Sequence, residues 1–224
     1  MCIRDRYKII QDTDGFCFGT DAVLLSDFTE VKTFETVADL CSGNGIIPIL
    51  LSAKYKPKEI LAVELQERAA ELAERNMELN GLQECVQVLC EDIKKVRARM
   101  DKTVDVVTCN PPYTPWGGGY VSCKDAKVIA RHEVFCTIED VFCSVSKVLK
   151  FGGRMYLVHR AERLTDVVVA ARKYRIEPKT VRFVHPRPEK AAKLFLMSFL
   201  YGGGRELKVL PPLMDFDCVE VLKQ

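Results

Sequence analysis

The sequence predicts an α/β domain whose doubly wound, mostly parallel sheet has seven strands and an antiparallel hairpin at one edge. Short apolar segments rich in β-branched residues alternate with helix-like segments, as in a parallel sheet covered on both faces. Residues 180–184 and 194–201 read as the last two strands, and no helix separates them, which predicts the hairpin. At 224 residues and 48% hydrophobic content, the chain can bury one substantial core.

The chain is expected to have three parts: a leading segment with a lid helix (1–30), the main domain (31–204) and a C-terminal tail (205–224). Charges near the start are followed by no apolar run, so we expect neither a secretory signal nor a membrane anchor. Ten cysteines include no Cys-x-x-Cys pair, which favours reduced core thiols over disulfides or a zinc site. These features predict a cytoplasmic protein without a metal, and we expect a monomer.

A lid helix is expected before the sheet. Residues 22–28 are amphipathic, and either Thr20 or Asp21 can cap their N-terminus. Gly19 allows the turn that precedes them.

The first strand, residues 37–40, leads into a glycine-containing turn at 41–45 and a helix at 46–53. Gly43 and Gly45 let the backbone approach a ligand closely, and the helix N-terminus offers free N–H groups. This unit predicts a site for a nucleotide-like cofactor.

Acidic residues follow the next two strands. Residues 59–63 form the second strand and end in Glu64, nineteen positions beyond Gly45, which suits a carboxylate that binds a ribose. After a helix at 66–80, the third strand at 85–90 is followed by Asp92. That residue could either accept from the amino group of an adenine or cap a helix.

The fourth strand, residues 104–109, ends in Asn110-Pro111-Pro112-Tyr113. The two prolines remove two backbone donors, so the carbonyls of Asn110 and Pro111 are free to accept hydrogen bonds. Together with the flat ring of Tyr113, these acceptors suit an amino group on a planar ring, or an amide. The alternative is a loop in which Pro-Pro merely ends a strand.

The second half continues the alternation and is basic. A glycine-rich loop at 114–127 is followed by His132, which could cap a helix or act as a base. Lys147 to Lys193 holds thirteen Lys or Arg against four Asp or Glu, so this basic segment carries +9 and the rest of the chain −7. It suits either a phosphate-binding surface or solvated helix faces. The expected elements are a helix at 138–151, a Gly152-Gly153 turn, a strand at 154–159 and a helix at 161–174.

The motifs at successive strand ends resemble those of Rossmann-like S-adenosylmethionine-dependent methyltransferases. They are Asp39-x-x-x-Gly43-x-Gly45, Glu64, Asp92 and Asn110-Pro-Pro-Tyr113. More narrowly, residues 7–11, 18–25, 130–133 and 182–186 are similar to the bacterial valine-tRNA adenine-37 N6-methyltransferases. The resemblance spans about 7–212, and the chain departs from that family at both ends.

The resemblance implies S-adenosylmethionine as cofactor and the N6 amino group of an adenine in RNA, in the anticodon loop of a tRNA, as methyl acceptor. The catalytic motif would be Asn110, Pro111, Pro112 and Tyr113, with Asn110 and the Pro111 carbonyl holding N6 while Tyr113 stacks on the base. Substrate contacts would also come from Arg131 and His132. Apart from the resemblance, Arg160 and Arg163 of the basic segment, just past the end of the fifth strand, are expected to contact phosphates of the substrate. The implied cofactor residues are Phe18, Gly19, Thr20, Asp21, Asp39, Cys41, Ser42, Gly43, Asn44, Gly45, Glu64, Leu65, Asp92, Ile93 and Asn110.

Other functions fit parts of the pattern. A nicotinamide dehydrogenase would match the first glycine turn, but the third small residue of its fingerprint falls on Pro48. Methylation of a protein glutamine is a closer alternative because an amide nitrogen fits the same acceptors, although the basic segment favours RNA. A non-catalytic module that binds the cofactor or RNA is the third alternative.

Overall fold

The computed structural model describes residues 2–3, 7–12, 18–113 and 136–214. The helices of this part are Thr20–Phe28 (α1), Ile46–Lys54 (α2), Glu67–Leu79 (α3), Arg97–Met100 (α4), Ile138–Val148 (α5) and Leu164–Lys173 (α6), with a 3-10 helix at Ala161–Arg163. The strands are Cys2–Ile3 (β1), Tyr7–Lys8 (β2), Thr36–Leu40 (β3), Glu59–Glu64 (β4), Val86–Cys90 (β5), Val104–Cys109 (β6), Leu149–Arg160 (β7), Ile176–His185 (β8), Leu194–Tyr201 (β9), Lys208–Val209 (β10) and Leu213–Met214 (β11).

One sheet organises the fold. β1 pairs with β2, and the other described strands form a nine-stranded sheet in the order β10, β8, β9, β7, β6, β3, β4, β5, with β11 also paired to β8. The strands from β7 to β5 are parallel, whereas β9 runs antiparallel to both β7 and β8. The predicted fold class is therefore confirmed. The strand count differs because residues 208–209 and 213–214, expected to lie in a tail, pair in parallel with β8.

The core lies on both faces of this sheet. Side chains of β3 alternate between the faces, as the pleat requires: Val37 packs with residues of α1 and α2, whereas Ala38 and Leu40 pack with residues of α5 and α6. Helices on both faces explain why the central strands are mostly apolar on both of their faces. Within the described ranges, no helix has the length and apolar character needed to cross a membrane.

Several element boundaries differ from the sequence prediction. α5 ends at Val148, and β7 begins at once, so Gly152 and Gly153 lie inside a strand instead of forming a turn. The pairing of β6 with β7 shifts register between Val104 and Val106, which accommodates this irregular start. β8 also starts earlier than expected and runs through Pro178. Glycine and proline usually indicate a turn or the end of a strand, but they carry no information about which strands pair. Pairing with the neighbouring strands outweighs these local preferences here.

Candidate active site

The carboxyl ends of the parallel strands meet at one edge of the sheet. Leu40 at the end of β3 lies opposite Val63 of β4 and Cys109 of β6, and Cys109 lies opposite Leu157 of β7. Residues that directly follow these strands are therefore neighbours, although they are far apart in the sequence. This edge is where ligands bind in open α/β sheets.

The turn after β3 has the backbone that its glycines predict. Gly43 and Gly45 have φ of 57° and 81°, and Cys41 also lies in the left-handed region at 61°. A Cβ on Gly45 would stand 2.6 Å from Met77 Cε and 3.3 Å from Ala73 Cβ, so the turn packs closely on α3, while its positive φ is what favours glycine here. The turn ends at the N-terminus of α2, where no side chain caps the free N–H groups.

Glu64 fastens this turn to β4. Its Oε2 accepts from the Gly43 backbone N–H at 2.8 Å and its Oε1 accepts from the Gln66 N–H at 2.9 Å. Burial raises the pKa of this carboxyl group. Each carboxylate oxygen of Glu64 retains a further lone pair for a ribose hydroxyl. The next residue, Leu65, exposes 42% of its surface and offers an apolar contact to a ligand.

Asp39, the penultimate residue of β3, lies beneath the turn and is fully buried. Its Oδ1 accepts from the Thr108 hydroxyl at 2.7 Å, and its Oδ2 has no hydrogen-bond partner among the described residues. Burial is the main cause that raises the pKa of Asp39 to about 7.

Unpaired polar atoms cluster at this turn. Besides Asp39 Oδ2, both amide atoms of Asn44 are buried without partners in the described part of the chain. The Ser42 hydroxyl is also buried without a hydrogen bond of regular geometry, although it lies close enough to Asp39 to lower the pKa of that carboxyl group. Buried polar atoms are normally paired, so such a cluster fits a polar ligand that supplies donors and acceptors. S-adenosylmethionine, with an ammonium, a carboxylate and ribose hydroxyls, matches that donor and acceptor set.

Asp92 and Ile93 follow β5 at the same edge. The Oδ1 of Asp92 accepts from the Lys94 N–H at 2.9 Å, which is the capping interaction of a short turn. Ile93 is 5% exposed and belongs to the core on the α5 side of the sheet. The structure thus shows Asp92 in the capping role, while a contact of this segment with an adenine stays a prediction.

The lid helix α1 brings Asp21 to the edge of the sheet where β6 ends. Phe18 packs against the core, Gly19 is the N-cap and Thr20 opens the helix, so neither Thr20 nor Asp21 is the cap residue. Asp21 Oδ1 accepts from the Ala22 N–H at 3.0 Å. Its other oxygen, Oδ2, lies 2.7 Å from the Tyr113 hydroxyl, 92 residues further along the chain.

Asn110 and Tyr113 form one hydrogen-bonded group after β6. The Tyr113 hydroxyl is within hydrogen-bonding distance of both Asp21 Oδ2 and the side-chain amide of Asn110. Burial, followed by the negative charge of Asp21, raises the pKa of Tyr113 well above its usual range, so this hydroxyl keeps its proton. Pro111 is buried and Pro112 partly buried, which fixes the loop that presents both side chains.

The comparisons with known proteins decide the family. Residues 13–172 match the methyltransferase small domain family. The chain belongs to this family. Two curated relatives are named tRNA1(Val) (adenine(37)-N6)-methyltransferase: that of Bacteroides thetaiotaomicron is 27% identical over 200 residues, and that of Phocaeicola vulgatus 24% over 198, each match covering 88% of this chain and 82% of the relative.

Solved structures agree with this methyltransferase in fold. A protein of Agrobacterium tumefaciens, described as a predicted O-methyltransferase, superposes with a TM-score of 0.70 at 24% identity and covers 87% of this chain and 86% of its own. Geranyl diphosphate methyltransferase in complex with S-adenosylmethionine gives a TM-score of 0.59 at 16% identity, over 80% and 84% of the two chains. The family resemblance expected from the strand-end motifs is thus confirmed.

The arginines expected to contact the substrate flank the end of β7 in this methyltransferase. Arg160 is exposed and lies 3.6 Å from Glu162, a long ion pair, whereas Arg163 is bonded to Asp166 at 2.7 Å. Arg160 ends β7 three residues beyond Leu157, the register partner of Cys109, and its positive charge acts to lower the pKa of Tyr113, whereas Arg163 lies in the 3-10 helix that follows. Arg131 and His132 lie outside the described residues.

Two residues of the methyltransferase site were missed by sequence reasoning. His159 on β7 is fully buried, and its ring packs edge-on against Tyr113 with centroids 5.2 Å apart. Asn76 on α3 is also fully buried and ties the leading segment to the turn, because its Nδ2 donates to the carbonyls of Ile10 and Asn44. Two signals for them were available in the sequence. His159 is a polar residue at the carboxyl end of a strand, and Asn76 lies on the apolar face of a helix.

The tautomer of His159 follows from its surroundings. Its Nδ1 accepts from the Arg160 N–H at 2.9 Å, so the proton of the neutral ring lies on Nε2. Burial and then the positive charge of Arg163 lower the pKa of His159 to about 4. A neutral ring therefore faces Tyr113 at physiological pH. In the described ranges, no three His, Cys, Asp or Glu side chains are grouped so as to hold a metal.

Proposed function

We propose that this protein transfers a methyl group from S-adenosylmethionine to the N6 amino group of an adenine in RNA, and that this adenine lies in the anticodon loop of a tRNA. The observation that carries the proposal is the pair Asn110 and Tyr113, hydrogen-bonded together beside the turn at 41–45. The names of the curated relatives support the adenine of a tRNA as acceptor.

The cofactor would bind along the turn at 41–45 and Glu64. Asp39 and the free N–H groups of α2 would face its charged end, and Glu64 its ribose. When bound, S-adenosylmethionine would supply an electrophilic methyl group on a positively charged sulfur. The segment at Phe18 to Thr20 is proposed to cover this end of the pocket.

The chemistry left to the protein is orientation of a weak nucleophile. The lone pair of an adenine amino group is delocalised into the ring, so the amine reacts only when it is held in line with the methyl group. In this proposal Asn110 Oδ1 and the Pro111 carbonyl accept its two hydrogens. As the N–C bond would form, the S–C bond would break and leave its electron pair on sulfur. The acceptors would stabilise the positive charge that develops on nitrogen, and one of the two hydrogens would then leave to water as a proton.

The substrate adenine must leave its stack to reach this pocket. Extrusion costs a few kcal/mol in a duplex and least in a single-stranded loop, which favours an anticodon-loop base. Stacking on Tyr113, as the sequence resemblance implies, requires one face of its ring to be open beside the T-shaped contact with His159 and the hydroxyl contact with Asp21. Arg160, with its exposed side chain, is proposed to contact phosphate.

We also propose that the protein is a cytoplasmic monomer and that it needs no metal.

Location of the transferred methyl group tests this proposal. The purified protein is incubated with methyl-labelled S-adenosylmethionine and, in separate reactions, with total bacterial tRNA or total bacterial protein. Digestion of the tRNA is expected to release labelled N6-methyladenosine, and the protein fraction is expected to stay unlabelled. Label on a glutamine amide instead would establish the protein-methylating alternative, and absence of label in both would contradict enzymatic transfer.

A further inference from the structure

The hydrogen bonds around the Tyr113 hydroxyl restrict where its proton lies. A hydroxyl carries one proton, so it cannot donate to both Asp21 and the Asn110 amide oxygen at the same time. Both partners are nevertheless within hydrogen-bonding distance of the same oxygen. One of them must therefore be the donor in the pair it forms with Tyr113.

The chemistry of the three groups decides which one donates. The negative charge of Asp21 acts on Tyr113, and a carboxylate is the stronger acceptor, so the hydroxyl proton belongs to Asp21 Oδ2. The Tyr113 oxygen is then left with lone pairs that need a donor. Asn110 has such a donor in Nδ2, which exchanges places with Oδ1 when the amide rotates by half a turn.

This rotation has a consequence for the substrate. With Nδ2 donating to Tyr113, Oδ1 of Asn110 points away from that hydroxyl and is free to accept from an incoming amine. With the opposite orientation, Oδ1 would already be occupied by Tyr113, and Nδ2 would meet the hydrogens of the amine. Only the first orientation is compatible with a group that holds N–H hydrogens.

We propose that Asp21 is a positioning residue which, through the Tyr113 hydroxyl, orients the Asn110 amide so that Oδ1 faces the substrate amine. This inference rests on the proposed function. It also differs from the cofactor contact that sequence resemblance implies for Asp21, because both of its oxygens have protein partners, the Ala22 N–H and Tyr113.

A kinetic double-mutant cycle tests the role of Asp21. Asp21→Ala and Tyr113→Phe, which keeps the stacking ring, are each expected to lower kcat by roughly ten- to a hundredfold, while the KM for S-adenosylmethionine changes by less than about twofold. The double variant is expected to lose no more than the worse single variant, because both changes break one chain of hydrogen bonds. Asp27→Ala, an exposed carboxylate on the same helix, is the matched control and should leave kcat unchanged.

Losses in kcat that add up in the double variant would contradict the proposal. So would an Asp21→Ala variant with an unchanged kcat and a raised KM for S-adenosylmethionine, which would show that Asp21 contacts the cofactor instead. A parent enzyme that methylates neither tRNA nor protein would contradict the proposed function alone. A second cycle, which needs no turnover, decides the amide orientation in that case.

The second cycle compares Asn110→Asp in the parent and in Tyr113→Phe by denaturant unfolding. Asp offers only acceptors, so it repels the Tyr113 oxygen if Nδ2 is the native donor. The change is then expected to destabilise the parent more than the Phe variant. An equal or smaller loss in the parent would show that Oδ1 is the native partner of Tyr113 and would overturn the inference.

Discussion

Thr108 donates its hydroxyl hydrogen to Asp39 Oδ1 at 2.7 Å, and the two residues are also register partners on adjacent strands. Thr108 lies two residues before Asn110 on β6, and Asp39 lies beneath the turn that is proposed to hold the cofactor. This buried bond therefore fixes the cofactor strand relative to the strand that presents the acceptor group. Neither side chain contacts water.

Thr108→Val is expected to weaken both stability and cofactor binding. The change keeps the shape of the side chain but removes the hydrogen bond to Asp39 Oδ1, which costs about 1–3 kcal/mol of unfolding free energy. It should also raise the pKa of Asp39 further, because the Thr108 hydrogen bond lowers it. Denaturant unfolding and calorimetric titration with S-adenosylmethionine measure the two effects.

The matched control is Thr36→Val, at the other end of β3. Thr36 is similarly buried and its hydroxyl bonds weakly to Glu59 at 3.4 Å, far from the turn. It should change stability slightly and leave cofactor affinity unaltered. Equal affinity losses in both variants would show that β3 as a whole, and not the Thr108 bond, matters for the cofactor.

Cofactor affinity is expected to rise with pH. The pKa of Asp39 is raised to about 7 by burial, so in the cofactor-free protein this group is partly protonated near neutrality. The ionised form is the better partner for an ammonium group, so titrations between about pH 6 and pH 8 should show tighter binding at higher pH. Asp39→Asn should bind S-adenosylmethionine more weakly than the parent, and its affinity should not change with pH. If the variant keeps the pH dependence of the parent, another group causes it.

Folding stability has the opposite dependence on the ionisation of Asp39. Its pKa is higher in the folded than in the unfolded protein, so its contribution is complete below about pH 4 and is lost as the pH rises through about 7. In the absence of cofactor, Asp39→Asn should therefore be more stable than the parent at pH 8, as measured by urea unfolding. A variant less stable than the parent at pH 8 would show that other groups stabilise the ionised carboxylate. Burial would then not be the dominant influence on the pKa of Asp39.

His159 is expected to make the protein sensitive to acid. Its pKa is lowered to about 4 from an ordinary 6.5, so the unfolded chain takes up a proton first and stability falls as the pH drops from about 6.5 to about 4. The loss is up to about 3 kcal/mol, since each pKa unit corresponds to about 1.4 kcal/mol.

His159→Phe should remove this part of the pH dependence in urea unfolding at pH 7, 6 and 5, whereas His185→Phe should keep it. His185 stands at the same edge of the sheet but is only partly buried, which makes it the matched control. Asp39 titrates identically in both variants and so does not affect the comparison. An unaltered slope in His159→Phe would mean that His159 is accessible to protons in the native state.

Arg160 and Arg163, at the end of β7, should contribute to RNA binding and not to cofactor binding. Arg160→Glu combined with Arg163→Glu is expected to weaken tRNA binding and to reduce the slope of log affinity against log salt by about 0.7 to 0.9 for each phosphate that is no longer neutralised. Affinity for S-adenosylmethionine should be retained. The control reverses Arg97 and Arg99 on α4, which carry the same charge and are both exposed, as Arg160 is, whereas Arg163 is largely buried. If both double variants give the same slope, no specific phosphate contact is made at the end of β7.

Much of the fold was predictable because the central strands are mostly apolar and several of them are followed by a distinctive residue. Glu64 and the glycines at 43 and 45 lie where the pattern placed them, since strand ends are defined by local sequence. The strand at 208–209 was missed because two residues carry no periodicity.

Contacts between distant segments were not predictable. The bonds of Tyr113 to Asp21 and of Asn76 to Ile10 join residues 92 and 66 positions apart, and no local signal encodes such pairs. The sequence suggested Asp92 equally as a cap and as an adenine contact, because both roles call for a carboxylate directly after a strand. The capping bond to Lys94 became visible only with the backbone of the turn in place.

Paired measurements on Asn110→Ala test the central proposal most directly. The variant is expected to bind S-adenosylmethionine within about threefold of the parent, because an acceptor that acts mainly on the amine contributes little to ground-state cofactor binding. Transfer of labelled methyl to N6 of tRNA adenine should fall by at least about a hundredfold. An Asn110→Ala enzyme that methylates tRNA at the parental rate, with the parent's product identified as N6-methyladenosine, would contradict the assignment of this residue as the amine acceptor.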